Sequence, residues 1–88
     1  MATRIEVEEG VRGVLADVLG IDKGRAAAFT ADTPLFGALP ELDSMAVAGL
    51  LTELEDRLAI RIDDDEVDGE MLETFGALRA FAARKALV

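Results

Sequence analysis

From Met45 onward, apolar side chains recur at Met45, Val47, Ala48, Leu50, Leu51, Leu54 and Leu58. That 3.6-residue period predicts an amphipathic α-helix of about four turns. An earlier run, Arg4 to Leu19, sets Val7, Val11, Val14, Leu15 and Val18 on one stripe and leaves Glu8, Glu9, Arg12 and Asp17 outside it. It reads as a first helix ended by Gly20, although Gly10 and Gly13 lower its intrinsic propensity. Near the end, Thr74 is a helix-starting residue, Phe75, Leu78, Phe81 and Ala82 share a face, and Arg84 and Lys85 suit the negative end of the dipole. Helices must therefore bury their stripes against one another.

The connections are less regular. Ile21 to Asp43 is long for a loop in a chain of 88 residues. Ile21, Phe29, Leu35, Phe36 and Leu39 give it inward anchors, while Pro34, Gly37 and Pro40 break regular structure. The reading is an ordered loop with one short helical turn near Ala26–Phe29. Asp63-Asp64-Asp65-Glu66 begins a short segment where a brief helix is expected, the acids suiting its N-terminus and Val67, Met71 and Leu72 facing inward. The Ile60-Arg61-Ile62 alternation is too short to compete as a strand and seats two apolar side chains on the core. The sum is one all-α domain over residues 1–88, a small antiparallel bundle of three long helices and one short, with a long ordered loop between the first two long helices.

Composition excludes whole classes of chemistry. Half the residues are apolar (51%), too many for a disordered tail. No cysteine means no disulfide framework and no thiolate nucleophile, and no histidine removes the commonest general base and metal ligand. An autonomous hydrolase is not expected. The net charge is −9, with twelve acids between positions 41 and 73 against Arg57 and Arg61. Such a surface disfavours nucleic acid and favours partners with basic faces. The start, Met1 to Glu9, is acidic and lacks an apolar run, so neither a secretory signal nor a membrane span is expected, and the location is read as cytoplasmic. The acidic run fails as a calcium loop. Counting from Asp64, Glu66, Asp68 and Gly69 suit positions three, five and six, but Phe75 stands where the bidentate glutamate belongs. No metal site is assigned.

Ser44 is the candidate functional residue. It opens the second long helix, where unpaired N–H groups and the dipole favour a phosphate. Serine there is also a common cap, and Asp43 beside it caps equally well.

Leu42-Asp43-Ser44-Met45, the helix that follows and the chain length resemble the acyl carrier protein family, over nearly the whole chain. The resemblance implies 4′-phosphopantetheine attached to Ser44, transferred from coenzyme A by a separate phosphopantetheinyl transferase. It implies a fold of the acyl-carrier type, no catalysis by the chain itself, and acyl groups held as thioesters on the arm. Asp43 is then the cap that fixes Ser44 in the open, or part of the surface the transferase reads. Met45, which periodicity alone assigns to core, is implied to lie exposed beside the arm and to adapt to partner pockets. Partners are implied to be acyl-loading and acyl-accepting enzymes with basic or apolar docking surfaces. Because Ala46 and Gly49 leave the first turns of the second long helix uncharged, a monomer is expected to meet them through an apolar patch at Met45 and Val47 with the charged contact displaced to Glu53 and Asp56.

Two positions depart from the carriers of fatty acid synthesis, since acids expected there are replaced by Ala46 and Gly49. The stretch from Leu35 to Val47, with Asp63-Asp64-Asp65-Glu66 later, resembles carriers associated with bacterial exosortase and exopolysaccharide gene clusters. Two alternatives stand beside this reading. One is an aminoacyl or peptidyl carrier served by an adenylating ligase; the other is an unmodified acidic interaction module in which Ser44 is only a cap.

Overall fold

The computed structural model describes residues 3–87. Four α-helices follow in order: α1 (Arg4–Leu19), α2 (Lys23–Ala27), α3 (Ser44–Leu58) and α4 (Phe75–Ala86). α1 begins where Glu6 N donates to Thr3 Oγ1 (3.1 Å) and Thr3 N donates back to Glu6 Oε1 (3.2 Å), a reciprocal box that satisfies two orphan donors. It stops at Gly20, whose φ of 67° is the left-handed cap expected of it. The short helix lies slightly earlier than the Ala26–Phe29 turn read from sequence, because Asp22 starts it by accepting from Gly24 N (3.0 Å).

The segment after Asp63 forms two single turns of 3-10 helix, Asp64–Glu66 and Glu70–Leu72, in place of one continuous helix. Two start signals in quick succession explain the split. Asp63 N donates to Glu66 Oε1 (3.0 Å) and fixes the first turn, Val67 returns to extended backbone, and Asp68 Oδ1 then accepts from Met71 N (3.0 Å) to start the second.

Val7, Val11, Val14 and Leu15 of α1, Leu35 of the loop, Leu50 and Leu54 of α3, and Phe75 and Leu78 of α4 are fully buried in a single core. The two glycines that weaken α1 in isolation lie on its seam with α3. A Cβ at Gly10 would fall 2.8 Å from Leu58 Cδ2, and one at Gly13 3.1 Å from Arg57 Nη1. α3 packs mainly on α1 and only lightly on α4. Its buried stripe is accordingly narrower than its apolar pattern: Val47, Leu51 and Leu58 are half-buried, while Met45 and Ala48 face solvent, against the core reading from periodicity.

The long loop is ordered by its neighbours. Ile21, Ala26, Phe29, Leu35, Leu39 and Leu42 are buried. Phe75 N donates to Thr33 O (2.8 Å), Gly76 N to Ala31 O (3.0 Å), Leu35 N to Glu73 O (2.9 Å) and Phe36 N to Leu72 O (2.9 Å), stitching the loop to the start of α4. Arg12 completes the attachment from α1: its guanidinium lies 4.5 Å from the Phe75 ring centre and donates to Ala26 O (2.7 Å).

Two glycines that sequence treats alike should therefore respond oppositely. A Cβ at Gly76 would lie 2.7 Å from the Ala31 carbonyl oxygen, whereas one at Gly49 meets nothing closer than Val18 Cγ1 at 3.6 Å. Gly76→Ala should lose about 1–3 kcal/mol of stability through the backbone clash, and Gly49→Ala should gain about 0.5–1 kcal/mol from helix propensity. Urea denaturation of the two variants measures both.

Candidate functional site

Ser44 is the first residue of α3, and Asp43 is its cap. Asp43 has extended backbone, its Oδ1 accepts from Ala46 N (2.8 Å), and its carbonyl accepts from Val47 N (3.0 Å). Leu42 and Val47 occupy the flanking positions where a hydrophobic pair fixes the entry of the chain into a helix; Leu42 is buried and Val47 half-buried. The capping role that a serine could have taken is thus filled by its neighbour. The Ser44 hydroxyl is exposed and makes no hydrogen bond among the described residues. The N–H groups of Ser44 and Met45 point out of the helix start without intrahelical acceptors. A phosphate on Ser44 Oγ would meet those N–H groups and the positive end of a 15-residue helix.

Beside Ser44 runs an open groove of about 350 Å³. Phe36, Val47, Val67 and Leu72 give it apolar walls, with Asp68 and Gly69 at the rim. Phe36 was read as an inward anchor, yet it is 48% exposed. Alternation in an extended segment explains the error: Leu35 points into the core, so the next side chain points away. Its backbone is nevertheless fixed by the bond to Leu72 O, so the ring stands as a prepared wall. A larger groove of about 590 Å³ between the start of α1 and the end of α4 is lined by Arg4, Glu8, Arg79 and Arg84 among others and offers no hydroxyl.

The four residues expected to meet partners fall in three places. Met45 is 86% exposed, as the family resemblance implied. Asp56 lies three turns further along the same exposed ridge, about 16 Å away, with Ala48, Gly49 and Thr52 between them, all exposed. Val47 belongs to the groove. Glu53 is turned toward α1, where Arg57 Nε donates to its Oε1 (3.0 Å) while the other side of the guanidinium pairs with Asp17.

With that geometry in place, a family model described as "phosphopantetheine attachment site" matches residues 9–82. The chain belongs to this family of phosphopantetheine carriers. It also resembles the solution NMR structure of a holo acyl carrier protein from Nitrosomonas europaea, at 41% identity and a TM-score of 0.79, over 89% of this chain and 92% of that one. A search of curated protein sequences gave no match. The four-helix architecture is that of acyl carrier proteins, and the group carried is covalent 4′-phosphopantetheine. The start of α3 fits that group: a free hydroxyl, unpaired N–H donors and an apolar groove alongside. A carrier of this kind does not catalyse. Among the described residues no helix is long and apolar enough to cross a membrane.

Of the acids near the groove, Glu66 is held by a cation from α4. Lys85 Nζ donates to both oxygens of Glu66 (2.8 and 2.9 Å). The Asp63 N–H first, and Lys85 second, hold the Glu66 carboxyl below its ordinary pKa. The depressed value means that the stabilisation is complete above the unfolded glutamate's pKa, near 4.5, and disappears as pH falls through the lower folded value. Glu66→Gln should therefore lower the melting temperature at pH 7, and the gap to the parent should close as pH falls well below 4.5. Thermal melts across pH 3–7 measure it.

Proposed function

We propose that Ser44 is the residue to which 4′-phosphopantetheine is attached, and that the protein presents acyl groups on that arm to partner enzymes of a specialised bacterial pathway. The observation that carries the assignment is the division of labour at the start of α3: Asp43 caps the helix, leaving the neighbouring hydroxyl exposed and without a partner. When bound, the arm supplies a terminal thiol that holds acyl groups as thioesters, which explains how a chain without cysteine can handle them. Asp43 keeps the hydroxyl in the open and forms part of the surface the transferase reads. Phe36, Val47, Val67 and Leu72 offer the arm and its cargo an apolar resting place. The resemblance around Leu35–Val47 supports assignment to the exosortase and exopolysaccharide carriers, working as a monomer in the cytoplasm.

Docking is proposed to centre on Met45, with Val47 beside it and Asp56 supplying the charge at the far end of the ridge. Ala46 and Gly49 leave the intervening surface uncharged. Glu53, already paired with Arg57, contributes less than its position in sequence implies.

The assignment is tested with a broad-specificity phosphopantetheinyl transferase, coenzyme A and magnesium, read by intact mass. The parent should gain one phosphopantetheine and Ser44→Ala none; modification of the alanine variant would defeat the reading. Asp43→Ala should also lose about 1 kcal/mol of stability. Asp43→Asn keeps the cap, so slow modification of a stable Asp43→Asn variant assigns Asp43 a role in recognition.

Apolar anchors at the centre of an interface carry affinity, whereas rim charges act mainly on association rate. Transfer to the cognate enzyme should fall most for Met45→Ala, about tenfold or more. Asp56→Asn should fall less and mainly at low ionic strength, and Glu53→Gln least. Transfer kinetics of the three holo variants at two salt concentrations give the ranking.

A further inference from the structure

The two sides of the groove beside Ser44 are held by different means. The inner side is fixed by main chain: Phe36 N donates to Leu72 O (2.9 Å), and Leu72 is buried. The outer side, Val67 to Gly69, belongs to a strap that leaves the core after Ile62 and rejoins it at Met71. Both ends of the strap are anchored. Ile62 N donates to Glu55 Oε2 (2.8 Å) at one end, and Met71 and Leu72 are buried at the other. Between them the first 3-10 turn buries no residue at all. Val67 is only half-buried against the core. Arg61 and Asp63 approach to 3.9 Å but belong to the same stretch of chain. Among the described residues, the pair formed by Lys85 of α4 and Glu66 is the one ionic tie between the strap and the rest of the fold.

That tie is stronger than an ordinary surface pair. Both side chains are about two-thirds to three-quarters covered (26% and 33% exposed), the lysine reaches both carboxylate oxygens, and Glu66 is already oriented by the Asp63 N–H. Charge-assisted bonds with little freedom to lose exceed the small contribution typical of solvated pairs.

We propose that Lys85 and Glu66 are positioning residues for the carrier site: their ion pair holds residues 63–69 down as the outer wall of the groove, and releasing it opens the groove to solvent while the inner wall and the helix core stay in place. Local opening of this kind draws on the least anchored segment of a fold. The consequence for bound cargo rests on the Ser44 reading. The opening itself is a property of the unmodified chain.

Amide hydrogen exchange on the Ser44→Ala chain, which leaves the phosphopantetheine question aside, tests the proposal. In Lys85→Met, which keeps the apolar stem, and in Glu66→Gln, which keeps an acceptor for Asp63 N, the amides of residues 66 and 67, which bond to Asp63 O and Asp64 O within the strap, should exchange about five- to tenfold faster. The Phe36 amide and the amides of α1 and α3 should not change. Lys85→Arg should restore slow exchange, and the double variant should be no faster than either single one. A thiol introduced by Val67→Cys, in a chain otherwise without cysteine, should react faster with a disulfide reagent when Lys85→Met is added. Unchanged exchange at residues 66 and 67, or equal acceleration in α1 and α3, overturns the proposal, the second result making the pair a contributor to global stability only. Arg25→Met, which breaks the distant pair with Glu41 (2.7 Å), should leave the strap as it was.

Discussion

The main-chain stitch between residues 31–36 and 72–76 is the constraint on which the rest of the structure depends. Four backbone hydrogen bonds convert a loop with two prolines into a layer of the core, and they satisfy polar groups that burial would otherwise leave unpaired. Leu35, Leu39 and Leu42 then become buried, which sets the direction from which the chain enters α3. The position of Ser44 is thus determined by contacts made on the far side of the loop from it. The stitch also explains Gly76, since the approach of Ala31 to the first turn of α4 is too close for any side chain.

Charge is arranged around this frame in two ways. Where cations are scarce they are used internally. Arg12 and Arg79 flank Phe75 and both pair with Glu8. Arg79 first, and Arg12 second, hold that carboxyl below its ordinary pKa. Arg57 joins Asp17 to Glu53 across the α1–α3 seam. The acids left over face outward, so the net charge of −9 is expressed at the surface, while the first turns of α3 stay uncharged. Attraction at a distance and contact at close range are thereby assigned to different residues.

Much of this was legible in the chain. Gly20, Asp43 and Thr74 marked the ends of long helices because caps act through local geometry, which sequence records directly. The family and its arm were legible from Leu42 to Met45. What escaped was set by tertiary contact. Periodicity assigned Met45 and Ala48 to the core because a stripe says which face is apolar and not how much of it a neighbour covers. Phe36 was misplaced because an aromatic in a loop looks like an anchor until the residue beside it is known to point inward. Gly10 and Gly13 looked like weaknesses of α1, and only the position of α3 reveals them as the seam. Glu53 and Asp56, three residues apart, seemed equivalent until Arg57 proved to face one of them.

The separation of duties between Asp43 and Ser44 has a consequence for the life of the molecule. Every hydrogen bond that starts α3 is made by a residue other than the one proposed to be modified, so esterifying that hydroxyl removes no bond from the fold. The carboxylate of Asp43 is given to structure, and the hydroxyl beside it is left to chemistry.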